Sequence, residues 1–260
     1  VGRHLARLES LDVRGIKLGL AAIDALCERL GRPEREFPSV LVGGTNGKGS
    51  TAATLASIAE AAGKRSGLYT SPHLVSVTER VRVGPGDVSE EALDEALGRV
   101  FAAADAEPAI PATYFEAITA AAFWLFREAS VEVAVLEVGL GGRFDATNVA
   151  PAGLSIVTSI ALDHMAELGD TLTRIAFEKA GIFRRGRPAL FRSEDREARA
   201  ELARAAEAAG ARVHDATAEL DVRVRSSSAG DALAGTSFDV TTPERGASLK
   251  TPLAGAHQAW

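Results

Sequence analysis

Val40-Leu-Val-Gly-Gly-Thr-Asn-Gly-Lys-Gly-Ser-Thr51 reads as a buried strand, a glycine-rich turn carrying one lysine, and a helix start. That order builds a phosphate cradle, because the N–H groups of the turn and the positive end of the helix dipole converge on an anion. Lys48 adds a point charge for the outer phosphates of a triphosphate, and the Ser50 hydroxyl is placed for Mg²⁺. The spacing departs from the common phosphate loop at two positions. Val42 stands where the first glycine of G-x-x-x-x-G-K falls, and Gly49 replaces the hydroxyl residue after the lysine. A glycine-rich turn alone would be no more than a tight connection; here the strand, the lysine and the helix occur together.

The flanking segments agree. Ser39 to Val42 is short and apolar, as a parallel strand covered on both faces should be. From Ser50 to Ala62, the residues Ala52, Leu55, Ile58, Ala59 and Ala62 recur at helical spacing, and Gly63 follows as a stop.

Working outward, the chain alternates in the α/β manner. A helix spans Leu18 to Leu30. Strands are expected at Ser66 to Tyr69, Val131 to Val138, Leu154 to Ile160, Arg187 to Phe191 and Ala211 to Val213. Helices are expected after Ser89, with Glu90 and Glu91 in the first turn, and at Thr113 to Ala129, Thr171 to Ala180 (closed by Gly181) and Asp195 to Ala209. Strands separated by helices imply an α/β fold, a mainly parallel sheet with helices on both faces. After about Asp221 the pattern changes. Val222 to Val224, Ser237 to Thr242 and Ser248 to Leu253 read as short antiparallel strands, a small β appendage spanning 221–253 on an α/β domain of 1–220.

Composition narrows the class. At 260 residues the chain can bury a substantial core. Its one cysteine, Cys27, excludes an internal disulfide framework and suits a reducing, cytoplasmic setting. No apolar run reaches the length of a membrane span. The net charge of −6, with both signs interspersed, argues against nucleic acid as a partner.

Three further polar elements fall where α/β enzymes place their chemistry, beyond the C-terminal ends of strands. Glu137 lies inside an apolar strand and is followed by Arg143, Asp145 and Asn148 in a glycine-permitted loop. A carboxylate there needs a cation or donor, so it is either a structural hydrogen-bonding group or a metal ligand. Asp163-His164 follows the strand ending at Ile160; such a histidine serves either as a satisfied structural residue or as a ligand. Glu178-Lys179 ends a helix, where a lysine ordinarily pairs with the dipole. Around a triphosphate, however, carboxylate, imidazole and hydroxyl groups make a Mg²⁺ site.

Gly44-Thr-Asn-Gly-Lys-Gly-Ser50, Ser71-Pro-His-Leu74, Thr113-Tyr-Phe-Glu116, Leu136-Glu-Val-Gly-Leu-Gly-Gly-Arg-Phe-Asp-Ala-Thr-Asn148, Asp163-His164 and Glu178-Lys-Ala-Gly-Ile182 occur in one order along the chain. In that order they resemble the folylpolyglutamate synthase/dihydrofolate synthase branch of the Mur-ligase superfamily. The resemblance implies a P-loop NTPase-like central domain and an ATP-dependent ligase. Such an enzyme phosphorylates a pterin-linked carboxylate and joins it to L-glutamate through an acyl phosphate, with dihydropteroate or reduced folates as acceptors. It implies that Asn46, Gly47, Lys48, Gly49 and Ser50 hold ATP, and that Ser71, Glu137 and Ser50 hold one Mg²⁺. His164 would hold a second metal, together with Lys179 in carbamylated form. Lys48, Glu137, His164 and Lys179 are the expected catalytic group. Thr113, Phe115 and Asp145, with Leu18 and Gly19, would line the pterin pocket.

The family pattern continues into a Rossmann-like domain, and residues 254–260 match the start of the linker to it. The expectation is therefore the N-terminal ATPase domain of a ligase that acts as a monomer. Two other readings stand beside it: a different amino-acid ligase of the superfamily, and a nucleotide-binding module without catalysis. A cell-wall ligase would need a uridine-nucleotide-binding domain, for which the roughly forty residues before the phosphate loop are too few.

Overall fold

The computed structural model describes residues 2–11, 19–227 and 235–259. Its main element is an eight-stranded sheet in the order β4-β3-β2-β5-β1-β6-β7-β8. Here β1 is Ser39–Gly43, β2 Ser66–Tyr69, β3 Val81–Val83, β4 Gly86–Asp87, β5 Val133–Glu137, β6 Leu154–Val157, β7 Pro188–Phe191 and β8 Arg212–Asp215. Strands β2, β5, β1, β6, β7 and β8 run parallel, and β3 and β4 add an antiparallel edge beside β2. The helices are α1 Arg3–Leu11, α2 Ala21–Arg29, α3 Lys48–Ala61, α4 Glu90–Asp105, α5 Tyr114–Glu128, α6 Met165–Leu168, α7 Leu172–Lys179, α8 Arg196–Ala208 and α9 Ala216–Glu219. A separate antiparallel sheet joins β9 Asp221–Ser227, β10 Thr236–Thr241 and β11 Gly246–Thr251.

The pleat divides the core. Val42, Leu68 and Val135 alternate onto one face and pack with Ala52 and Ala56 of α3. Leu41, Tyr69, Ala134 and Leu136 point to the opposite face, where the larger cluster contains Ile23 and Leu26 of α2, Leu93 and Leu97 of α4, and Phe123 and Phe126 of α5. Register places Val42 beside Glu137, so Glu137 projects to the α3 side. The chain leaves β1 toward β2 on one side and later returns to set β6 on the other. The loops after β1, β5 and β6 therefore open at the same edge, the crevice in which α/β sheets bind ligands.

Local sequence accounts for the helix starts. Ser89 accepts the N–H of Ala92 at the head of α4. Thr113 and Glu116 form a reciprocal capping box at the head of α5. Asp94 caps from a distance: its Oδ1 accepts the N–H of His4 and Leu5, tying α1 to α4.

Several expectations change. Helix α1 and the antiparallel edge β3–β4 were not foreseen. The first anticipated helix begins only at Ala21, and Leu18 lies outside the described residues. The buried stripe of α3 is Ala52 and Ala56, and Ile58 stays 59% exposed. Strand β6 stops at Val157 rather than Ile160, because Thr158 and Ser159 turn to bond Asn46 in the loop after β1. Helix α7 is not closed by a left-handed glycine at 181; it tightens into a 3₁₀ turn over Ala180–Ile182.

Gly67 lets α5 lie directly on β2, since a Cβ there would stand 2.8 Å from Cδ1 and 2.9 Å from Cε1 of Phe126. Gly67→Ala is expected to destabilise the fold by about 1–3 kcal/mol through overpacking, read as a lower urea midpoint at unchanged slope.

Candidate functional site

The loop between β1 and α3 is held from below by the end of β6. Thr45 N–H donates to Ser159 O (2.8 Å) and Asn46 N–H to Ser159 Oγ (3.0 Å). Thr158 Oγ1 donates to Asn46 O at 2.6 Å, and Thr158 N–H to Gly43 O at 2.9 Å. The approach is so close that a Cβ on Gly44 would stand 2.0 Å from Thr158 Oγ1 and 3.0 Å from Thr158 N. Gly44 has φ +136° and Gly47, just before α3, φ +82°, both in the region that favours glycine. The first intrahelical bond of α3 runs from Thr51 N–H to Gly47 O, so the amides of Lys48, Gly49 and Ser50 are left without a partner among the described residues. Asn46 is exposed, and its own N–H is committed to Ser159 Oγ.

Two ammonium groups sit on consecutive carbonyls of this loop. Lys48 Nζ donates to Thr45 O (3.1 Å), and Lys179 Nζ, from the end of α7, donates to Gly44 O (2.8 Å). Lys179 is 3% exposed. Burial pushes its ammonium down to about 8, and the neighbouring charge of Lys48 pushes the same way. Glu178, beside it, faces Arg143, whose guanidinium stacks 4.1 Å over the ring of Phe177.

Glu137 ends β5 and is 5% exposed. An ideal Cβ on Gly49 would lie 3.6 Å from each carboxylate oxygen, so glycine lets the first turn of α3 rest against this acid. Its one hydrogen bond among the described residues comes from Ser71 N–H to Oε2 at 3.0 Å. Desolvation raises its carboxyl, opposed by that bond and by the charges of Lys48 and Arg80. The loop carrying Ser71 is clamped by Glu79, whose carboxylate accepts the N–H groups of Leu74, Val75 and Ser76 at 2.7–2.9 Å. These bonds, Leu74's first, hold Glu79 below the usual carboxylate range.

Among the described residues no three His, Cys, Asp or Glu side chains converge to hold a metal ion. What does converge is one buried carboxylate with Ser71 and the turn containing Ser50. Oxygen donors and few protein ligands suit Mg²⁺ bound partly through substrate phosphates, so these residues fit that ion. His164 stands apart from this group. It is half exposed, has φ +48° and lies 3.7 Å from Asp163; no hydrogen bond or ion pair joins it to Glu137, Ser50, Ser71 or Lys179.

The residues expected around a pterin are divided. Phe115 is half-buried, 6.0 Å from the ring of Tyr69, and would touch any Cβ on Gly139 at 2.6 Å. Thr113 is engaged in the cap of α5. Asp145 is buried and turned into its own loop: Oδ1 accepts Thr147 N–H (3.0 Å) and Oγ1 (2.6 Å), and Oδ2 accepts Leu140 N–H (2.9 Å). Burial raises its carboxyl, and these bonds oppose the rise. Gly19 is half-buried with open space at its Cβ direction; Leu18 is outside the described residues. Sequence reasoning passed over Thr158, Ser159, Glu79 and Arg80. Ser76-Val-Thr-Glu79 is a legible capping box, whereas nothing local marks the other three.

Residues 42–260 match the family model of the Mur ligase middle domain. The chain is 47% identical over 186 residues to the dihydrofolate synthase/folylpolyglutamate synthase of Escherichia coli strain K12, covering 72% of this chain and 43% of that protein. It is similar to the solved structure of E. coli FolC in complex with DHPP and ADP, with a TM-score of 0.84 and 39% identity over 98% of this chain and 58% of the other. It is also similar to a bifunctional folylpolyglutamate synthase/dihydrofolate synthase with Mn, AMPPNP and L-glutamate bound, with a TM-score of 0.79 and 36% identity over 94% and 55% of the two chains. The sequence match thus spans 43% of the E. coli relative and the structural match 58% of its chain, less than two thirds of its length in either case.

The Gly44 contact yields a test. Gly44→Ala is expected to weaken AMPPNP binding by at least about tenfold, because the Thr158 backbone leaves no space and φ is unfavourable. Titration calorimetry, with far-UV circular dichroism as the check on folding, measures it.

Proposed function

This chain belongs to the Mur ligase family, and on that footing we propose that it forms the ATP-binding part of a ligase joining L-glutamate to dihydropteroate or reduced folates. The observation that carries the nucleotide reading is the glycine-rich loop with free amides at the start of α3 and the Lys48 ammonium resting on Thr45 O of that same loop. One ammonium and a helix N-terminus in a single crevice form an anion site suited to a triphosphate. The choice of folate as acceptor rests on the motif order and on the named relatives.

In the proposed reaction a carboxylate oxygen of the acceptor attacks the γ-phosphorus, and the bond to ADP breaks. The amine of glutamate then attacks the acyl carbon, loses a proton, and phosphate departs with the electron pair. The amides of residues 47–50 and Lys48 hold and orient the triphosphate. Glu137, Ser50 and Ser71 would hold Mg²⁺, which supplies charge neutralisation on the transferred phosphoryl group. Phe115 would contact the pterin ring system, with Thr113, Asp145, Leu18 and Gly19 around it. The ligand is a small molecule. The single cysteine suits the reducing cytoplasm and the net charge of −6 argues against nucleic acid as a partner; monomeric action away from membranes is part of the same proposal.

Lys179 takes a second role in this scheme. Its neutral amine can add CO₂, releasing a proton and leaving an anionic carbamate beside Lys48, an oxygen ligand for a second metal that His164 would complete. A buried lysine with a titration near 8 has the unprotonated nitrogen that this addition requires.

Phosphate release with Mg-ATP and L-glutamate is expected to depend on added dihydropteroate or reduced folate. Release indifferent to both compounds overturns the folate reading. Glu137→Gln, which keeps the shape and removes the charge, should lower that release by about two to three orders of magnitude at unchanged fold. For Lys179 the sign follows from its lowered titration. The neutral fraction climbs about tenfold between pH 7 and pH 9, so at fixed CO₂ pressure the ¹³C carbamate resonance should grow with pH and vanish in Lys179→Met.

A further inference from the structure

Beside the phosphate crevice, between α1, the 73–80 loop and the head of α5, lies a cavity of about 560 Å³. Its walls include His73, Val75, Val77, Tyr114 and Phe115, and Arg80 lines it as well. Through Phe115, whose ring abuts Gly139, it adjoins the segment that follows Glu137.

Arg80 is unusual for a cation in this position. It is 8% exposed, and among the described residues no carboxylate lies within ion-pair distance of it. Nε donates to His73 Nδ1 at 2.8 Å, and the guanidinium carbon lies 5.3 Å over the ring of Tyr114. The two terminal nitrogens have no hydrogen-bond partner among the described residues. Glu137 feels the charge of Arg80 but lies beyond ion-pair distance. The acids that line the cavity, Glu9 and Glu90, are exposed. A buried guanidinium without a counter-charge is costly, and anchoring Nε on His73 and the plane over Tyr114 leaves an end-on fork of two donors, the geometry that receives a carboxylate.

We propose that Arg80 binds the carboxylate of the acceptor, an arylcarboxylate whose ring lies against Tyr114 in this cavity while its pterin reaches Phe115. The assignment rests on the ligase reading above, because an acid of that reaction must be held close to Glu137 and the nucleotide. The aromatic walls select a flat ring, and the fork distinguishes the acid from its neutral amide.

Binding of dihydropteroate and of its carboxamide is measured with Mg-AMPPNP present, for the wild type, Arg80→Lys and Arg80→Gln. The wild type is expected to prefer the acid by at least about tenfold. Arg80→Gln loses that preference, and Arg80→Lys reduces it several-fold while keeping part of it. AMPPNP affinity stays unchanged in both. Equal binding of acid and amide by the wild type overturns the assignment. So does a preference that survives in Arg80→Gln, or a loss that falls on AMPPNP instead. Should Arg80→Gln fail to fold, Arg80→Lys decides, and an unchanged preference there counts against the fork.

Titrations of 4-aminobenzoate and 4-aminobenzamide, followed by NMR, separate this proposal from the wider function. An Arg80-dependent preference for the benzoate, with no binding of any pterin compound, sinks the folate acceptor and keeps the arylcarboxylate site. Loss of both preferences removes the site.

Discussion

The close approach of Gly44 to Thr158 governs the architecture of the site. With a hydrogen in place of Cβ, the loop after β1 settles onto the end of β6 and is fastened there by Thr158 and Ser159. This leaves the carbonyls of Gly44 and Thr45 facing the lysines, and Lys179 and Lys48 dock on them. The same loop fixes where α3 begins, and hence where its free amides point. A side chain at position 44 would separate β1 from β6 in the region where the sheet's order reverses and its ligand crevice opens.

The second constraint acts from the other side of β1. Glu137 is set by strand register against Val42, on the face that α3 covers, and Gly49 keeps the helix turn close to its oxygens. A carboxylate in so apolar a place is tolerated because Ser71 donates to it and Lys48 and Arg80 supply positive potential. Ser71 is available because Glu79 gathers three amides of its loop. The carboxylate, the loop and the helix start thus support one another, and electrostatic work on a phosphoryl group needs donors held in place beforehand.

Much of this could be read in the residues. The glycine-rich loop, its strand and its helix, the position of Glu137 at a strand end, the cap at Ser89 and the box at Thr113–Glu116 are local patterns with local causes. The parallel sheet followed from alternation, and the change of character near Asp221 marked the small antiparallel sheet. The errors were also local in origin. The apolar run to Ile160 resembled one strand until the tertiary pull on Thr158 and Ser159 ended it at Val157, and Ile58 fitted a helical stripe that packing did not use.

The sequence by itself determined the glycine-rich loop between strand and helix and the strand-end carboxylate, because both depend on residue type and on spacing along the chain. Only the tertiary structure decided which distant groups share the crevice. It set Lys179 on Gly44, 135 positions away, and placed Thr158 and Ser159 beneath Asn46. It also left Arg80 buried beside His73 and Tyr114, and turned Asp145 into its own loop. The physical reason is that burial and charge proximity arise from packing between elements remote in sequence. The shift of Lys179 toward neutrality and the burial of the Arg80 guanidinium out of ion-pair distance of any described carboxylate are properties of the folded neighbourhood, not of the segments that carry them.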